Sequence, residues 1–171
     1  MSARFTLGSL AFLAALALPL HGEEKKASAF DKFKHLEGEW VGKEVSGAKD
    51  IHGDVNIKYK LTAAGSAVIE TIMPGSEHEM VTVIHPDGKN LVLTHYCVLG
   101  NQPRMKAPGT ADGNSVAFKF ESATNLKSDK DFYMHDVTYT FVDNDTIKTD
   151  WTHFKDGAAA GKAVFELKRK K

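Results

Sequence analysis

The sequence predicts an all-β protein: an antiparallel meander of about ten strands that closes into a barrel, with one short helix at its start. From Gly38 onward, apolar and polar residues alternate with a period of two, which places an apolar set on one face of each strand. Turn-forming residues separate the alternating segments, for example at 86–88 (Pro-Asp-Gly) and 156–157 (Asp-Gly). Loops this short favour pairing between successive strands.

The alternation is clear in segment 115–122, where Val116, Phe118 and Phe120 share one face and polar residues share the other. The predicted strands are 39–46, 54–63, 66–73, 79–85, 90–99, 103–107, 115–122, 134–142, 146–154 and 162–169. An open sheet of this length would leave two exposed edges and one uncovered apolar face. We therefore expect a closed barrel with a lumen; a flattened sandwich with a filled core is the alternative.

A short helix is predicted over residues 29–37, directly before the first strand. Phe30, Phe33 and Leu36 fall at spacings of three and form one apolar face. Ser28 is the expected N-cap, and a glycine follows the segment and ends it.

The first 22 residues are typical of a secretory signal peptide. Arg4 supplies a positive start, and residues 5–20 form a mainly apolar run before the charged linker 23–28. A membrane-tethering helix is the alternative, but the run is shorter than the roughly 20 apolar residues that a membrane span needs. We expect an exported protein, periplasmic or extracellular, with no integral membrane span after leader removal and one barrel domain over 29–171.

Charge and cysteine content exclude several classes of protein. The chain has 22 basic and 22 acidic residues and a net charge of zero, which provides no electrostatic footprint for nucleic acid. Cys97 is the single cysteine, so an intramolecular disulfide and multi-cysteine metal clusters are excluded. The sequence carries no signal of oligomeric state.

The start of the predicted barrel carries a recognisable motif. Gly38-Glu39-Trp40, directly behind a short helix, resembles the Gly-x-Trp signature of lipocalins and other calycin barrels. The wider layout is similar to small secreted bacterial lipocalin-like domains of unknown function. The resemblance implies that Trp40 closes one end of the barrel and packs near a basic residue of the final strand, Lys168 or Arg169. It also implies a cupped barrel that holds an apolar or amphipathic molecule.

A candidate ligand site involves four residues. Glu70, His95 and Arg104 are expected to orient a ligand inside an otherwise apolar pocket, and Trp151 either floors that pocket or fills core. In the strand predicted over 90–99, the more apolar face is expected to point inward; it consists of Leu93, His95, Cys97 and Leu99.

The direction of Glu70 is open. It lies on the same strand face as Val68 and Ile72, and if that face is buried the carboxylate needs a partner, for which Arg104 or His95 are candidates. In the alternative, Glu70 points to solvent and the opposite face of the strand is buried.

Four functions are compatible with these observations. The first is an exported barrel that binds a small molecule. The second is an enzyme that uses the lumen, with His95 and Glu70 as acid–base pair and Arg104 stabilising an anionic intermediate. The third is a haem-binding barrel, because nitrobindin-like barrels have a similar architecture, although no histidine here is matched to a haem ligand. The fourth is an envelope-associated module that acts through its outer surface.

No cofactor and no metal site are predicted. Five histidines lie on or beside predicted strands, but no pair has the i, i+2 strand spacing or the i, i+4 helix spacing that preassembles metal ligands. They are His78, His85, His95, His135 and His153.

Overall fold

The computed structural model describes residues 28–45, 54–111 and 113–171. The predicted signal peptide (1–22), and the linker except for Ser28, lie outside the described residues. Helix α1 spans Ala29–Lys34, and a single 3₁₀ turn spans Ala63–Gly65. The strands are β1 Gly38–Glu44, β2 Asp54–Thr62, β3 Ala67–Ile72, β4 Met80–Asp87, β5 Asn90–Tyr96, β6 Gln102–Pro108, β7 Ser115–Thr124, β8 Tyr133–Phe141, β9 Thr146–Lys155 and β10 Ala158–Arg169.

The strands form a closed antiparallel barrel. Each strand pairs with its neighbours in the chain, and β1 pairs with β10, with Trp40 opposite Arg169. Closure gives each strand of the sheet a paired neighbour on both sides. The predicted meander barrel is confirmed, and the alternative of a flattened sandwich is wrong.

The strand ends differ most from the predicted ones at two turns. β5 ends at Tyr96 rather than at 99, because the chain turns immediately and the Gly100 N–H donates to the Cys97 carbonyl. β10 begins at Ala158 rather than at 162, because the turn before it is tight and pairing with β9 continues through an irregularity between Ala159 and Gly161.

Alternate residues of each strand point into the barrel. On β3 the buried residues are Val68, Glu70 and Ile72, so Glu70 faces inward and the alternative that exposed it is wrong. On β5 the face that carries Leu93 and His95 points inward, as expected. Leu99 was assigned to the same face, but it lies beyond the strand and is 47% exposed.

Helix α1 covers one end of the barrel. The ring of Phe33 makes edge-on contacts with Phe118, Tyr139 and Phe141, with centroid distances of 5.8, 5.1 and 5.3 Å. The helix is shorter than predicted and ends at Lys34.

Ser28 lies at the N-cap position of α1, but its side chain makes no capping hydrogen bond. The backbone anchors this end of the helix instead. Ser28 pairs with Thr110, and the Ala29 N–H donates to the Gly109 carbonyl. The helix start is therefore held by the segment after β6 rather than by a side-chain cap.

A tryptophan and an arginine tie the helix end to the last strand. The indole N–H of Trp40, which is fully buried, donates to the Leu36 carbonyl at 2.8 Å. The Arg169 guanidinium lies 4.4 Å from the centroid of the Trp40 ring. It also donates to the carbonyls of His35 and Glu37 at 2.7 and 2.8 Å. These bonds satisfy carbonyls of the short segment that connects the helix to β1.

Replacing Arg169 with methionine is expected to lower the free energy of unfolding by about 2 kcal/mol, because hydrogen bonds to a charged donor contribute about 1.5–3 kcal/mol. This figure includes about 0.5–1 kcal/mol for the loss of the contact with the Trp40 ring. Urea denaturation measures this loss. The matched control is Lys168→Met, whose side chain is exposed and whose effect is expected to stay within about 0.5 kcal/mol. Equal losses in the two variants would refute the role given to Arg169.

Candidate functional site

A cavity of about 520 Å³ opens at the end of the barrel away from α1. It is called the cup below. Its walls come from the end of β1 and of β3 and from the start of β2 and of β4, together with the segments beside them. The apolar lining residues are Val55, Ile72, Met73, Met80, Cys97, Val98, Leu99, Phe132, Met134, Trp151, Ala163 and Phe165. A smaller hollow of about 260 Å³ lies among polar side chains such as Glu39, Asn56 and Lys170.

His95 and Trp151 form the floor of the cup. The side chains are 2% and 4% exposed, and their ring centroids lie 5.0 Å apart. Both residues were candidates in the sequence, and the structure brings them together because β5 and β9 face each other across the lumen. The remaining polar side chains of the lining are those of Glu44, His78, His153 and Lys162.

A buried polar row lies at the level of the floor. Tyr59, Glu70, Thr82 and His95 are consecutive partners across β2, β3, β4 and β5, and each is at most 2% exposed. All four point inward because paired residues of adjacent strands lie on the same face of the sheet. The row connects the cup floor to the centre of the barrel.

Glu70 lies at the centre of this row and accepts hydrogen bonds from two tyrosines. The hydroxyl of Tyr59 donates at 2.6 Å, and the hydroxyl of Tyr139, on β8, donates at 3.0 Å. Burial raises the pKa of the Glu70 carboxyl, while hydrogen bonds from Tyr59, Thr82 and Tyr139 act in the opposite direction. Burial, followed by the nearby Glu70 charge, raises the pKa of both tyrosines well above 10. The two hydroxyls therefore remain protonated donors.

His95 is a neutral imidazole at pH 7. Its Nδ1 lies 3.0 Å from the Thr82 hydroxyl, and burial lowers the pKa of the ring to about 4. The floor of the cup therefore consists of an uncharged heterocycle beside an indole.

Arg104 does not take part in this site, and the expectation that it joins Glu70 and His95 is wrong. Strand alternation turns Met105 into the core and Arg104 to the outer face. The Arg104 Nε donates to Glu121 at 2.8 Å on that face. The acid–base hypothesis needs all three groups around one cavity, so it loses its anion-stabilising residue.

Three residues of the site lay outside the sequence prediction: Tyr59, Thr82 and Tyr139. Each occupies an inward position in a regular alternating strand, where an aromatic or threonine residue is indistinguishable from core. The one available signal was Glu70 itself, because a buried carboxylate requires hydrogen-bond donors from facing strands.

Cys97 packs as a small apolar residue in the cup wall. It is 9% exposed, and burial raises the pKa of its thiol, which keeps it a thiol at neutral pH. Among the described residues there is no group of three or more His, Cys, Asp or Glu side chains able to hold a metal ion. The described helices include none that is long and apolar enough to cross a membrane.

Comparison with known proteins yields similar solved structures but no family match. No protein-family model matches the chain, and no curated protein matches it. The crystal structure of Rv2717c from M. tuberculosis is similar with a TM-score of 0.62 and 13% identity, covering 86% of this chain and 100% of that one. A protein of unknown function from the DUF3598 family of Nostoc punctiforme is similar with a TM-score of 0.52 and 14% identity, covering 81% of this chain and 49% of that one. At these identities the likeness shows the fold alone.

Proposed function

We propose that this protein is an exported binding barrel that holds a small apolar or amphipathic molecule in the cup. The observation that carries the proposal is the cup itself, whose volume of about 520 Å³ lies within the range of roughly 300–1,000 Å³ typical of small-molecule sites. Mainly apolar walls with a few polar groups at the floor are the usual composition of such sites. Export is proposed from the leader at residues 1–22 alone.

A ligand that fits the cup gains its affinity from the apolar walls. Removal of apolar surface from water contributes about 25 cal/mol per Å², so a chain-like ligand that buries roughly 200 Å² gains about 5 kcal/mol before the costs of association. The floor then supplies orientation, because His95 is the polar group that lies deepest among the lining residues.

Filling the cup is expected to abolish binding. Ala163 lines the cup, and Ala163→Trp places an indole in the space that the ligand needs, so the affinity for an environment-sensitive apolar dye falls at least tenfold. Fluorescence titration measures this, and native mass spectrometry of freshly purified protein tests for a co-purified ligand. The control Ala117→Trp lies at an exposed position of β7 and is expected to bind like wild type. Equal affinities in the two variants, or no dye binding by wild type, would overturn the proposal.

The haem-binding alternative is favoured by one observation: three histidines, His78, His95 and His153, line the cup and could contact an iron. Haemin is therefore included in the same titration. A haem absorption band that depends on a lining histidine would assign the haem function, and a haemin response unchanged by Ala163→Trp would exclude the cup as its site.

A further inference from the structure

We propose that His95 presents an unprotonated Nε2 to the cup and thereby selects neutral amphipathic ligands whose polar end donates a hydrogen bond, such as a long-chain alcohol or amide, over carboxylate anions. This inference rests on the proposed function and names its ligand class.

The His95 imidazole forms a hydrogen bond with the protein through one of its two ring nitrogens. Nδ1 is engaged with the Thr82 hydroxyl at 3.0 Å, whereas none of the described residues forms a hydrogen bond with Nε2. The ring is 2% exposed and lines the cup. The described residues do not enclose Nε2 completely, so it is open to the cup, where a ligand can form a hydrogen bond with it.

The neighbouring hydrogen bonds determine which ring nitrogen of the neutral His95 carries the proton. The Thr82 hydroxyl has one hydrogen and lies between Glu70 and His95 in the register of the sheet. The Thr82 hydroxyl is hydrogen-bonded to the Glu70 carboxyl, which also accepts hydrogen bonds from Tyr59 and Tyr139. Thr82 therefore donates to Glu70 and accepts from the Nδ1–H of His95. A neutral imidazole has one N–H, so Nε2 keeps its lone pair.

The ionisable side chains around the floor of the cup determine how it receives an anion. The Glu70 carboxyl, held by Tyr59 and Tyr139, lies behind the floor without a basic partner among the described residues. The Lys162 ammonium of the lining is paired with Asp150 at 3.0 Å.

The remaining ionisable groups of the lining are His78, whose side chain is 62% exposed, and His153, which packs against the Phe132 ring. Neither is one of the buried residues that form the floor. An anionic head group would therefore meet the Nε2 lone pair at the deepest point of the cup, with the Glu70 carboxyl behind it.

Three ligands with the same ten-carbon body separate the contributions at pH 8: 1-decanol, decyl methyl ether and decanoate. Calorimetry or dye displacement is expected to rank the alcohol first. The ether loses the donated hydrogen bond, which is worth about 1 kcal/mol, or about fivefold in affinity, and decanoate binds more weakly than the alcohol. In His95→Phe, which keeps a flat ring, the alcohol and the ether bind equally. A wild-type protein that prefers decanoate, or binds ether and alcohol alike, overturns the inference.

A second measurement is independent of binding. NMR of the ligand-free protein labelled with ¹⁵N-histidine reports which ring nitrogen of His95 carries the proton, and the Nδ1–H form is expected. Thr82→Val retains the histidine but removes the acceptor of its proton, so the Nε2–H form and a smaller alcohol-to-ether ratio are expected. An Nε2–H form in wild type overturns the inference even if ligands bind. If NMR shows the Nδ1–H form of His95 but none of the ten-carbon ligands binds, the proposed function is overturned instead.

Discussion

Replacing Phe33 with alanine is expected to lower the free energy of unfolding by about 3–5 kcal/mol, the usual cost of removing a buried aromatic ring. Phe33 is completely buried, and its edge-on contacts with three rings each add about 0.5–1.5 kcal/mol beyond the area they bury. The ring is also the main link between α1 and the barrel end that the helix covers. Because domains of this size are stable by only about 5–15 kcal/mol, the variant should lie close to the limit of folding.

Urea denaturation measures this effect, with two controls. Phe33→Leu keeps an apolar side chain and is expected to lose about 1.5 kcal/mol or less. Val142→Ala truncates an apolar residue that is 56% exposed and should change stability by no more than about 0.5 kcal/mol. If Phe33→Ala and Val142→Ala lose the same amount, α1 does not close the barrel as the structure shows.

Because the fold keeps His95 neutral, the contribution of this residue to the free energy of unfolding is expected to fall by about 3 kcal/mol between pH 7 and pH 4. Burial lowers the pKa of the ring from 6.5 to about 4, and each pH unit corresponds to about 1.4 kcal/mol. A group whose pKa is lower in the folded state stabilises the fold above its unfolded pKa. This contribution is therefore complete above about pH 6.5, falls with pH, and is lost as the pH passes through about 4.

Glu70 acts in the opposite direction over part of the same range. Burial raises its folded pKa, so its contribution to stability is present below the unfolded value and is lost as the pH rises through the folded one. The whole-protein curve therefore mixes two opposite slopes, and a comparison with His95→Phe separates them. The stability of wild type relative to that of His95→Phe should fall by about 3 kcal/mol as the pH falls from 7 to 4. Parallel curves for the two proteins would contradict the burial of a neutral His95.

The strand pattern was predictable from the sequence because it is a local property. Alternation in segments such as β7 and β8, with a glycine or asparagine turn after most strands, determined ten strands to within a few residues. Chain-neighbour pairing then required closure, because an open sheet of ten strands would have left its apolar face uncovered. The helix before Trp40 was equally predictable from local spacing, although it ends earlier than the apolar spacing indicated.

The site itself was decided by tertiary structure. On β3 both faces carry apolar residues, Ala67 and Ile69 on one and Val68 and Ile72 on the other, so the period of two could not determine the direction of Glu70. Burial against the opposite wall of the barrel determined it.

The partners of Glu70 depend on register and closure, which no local pattern contains. Tyr139 reaches Glu70 from 69 residues away, whereas Arg104, the expected partner, lies one position out of phase and points outward. By itself the sequence determined a closed antiparallel barrel with one inward face. Which polar side chains meet inside it was decided only by strand register, because a shift of one residue moves every side chain to the other face of the sheet.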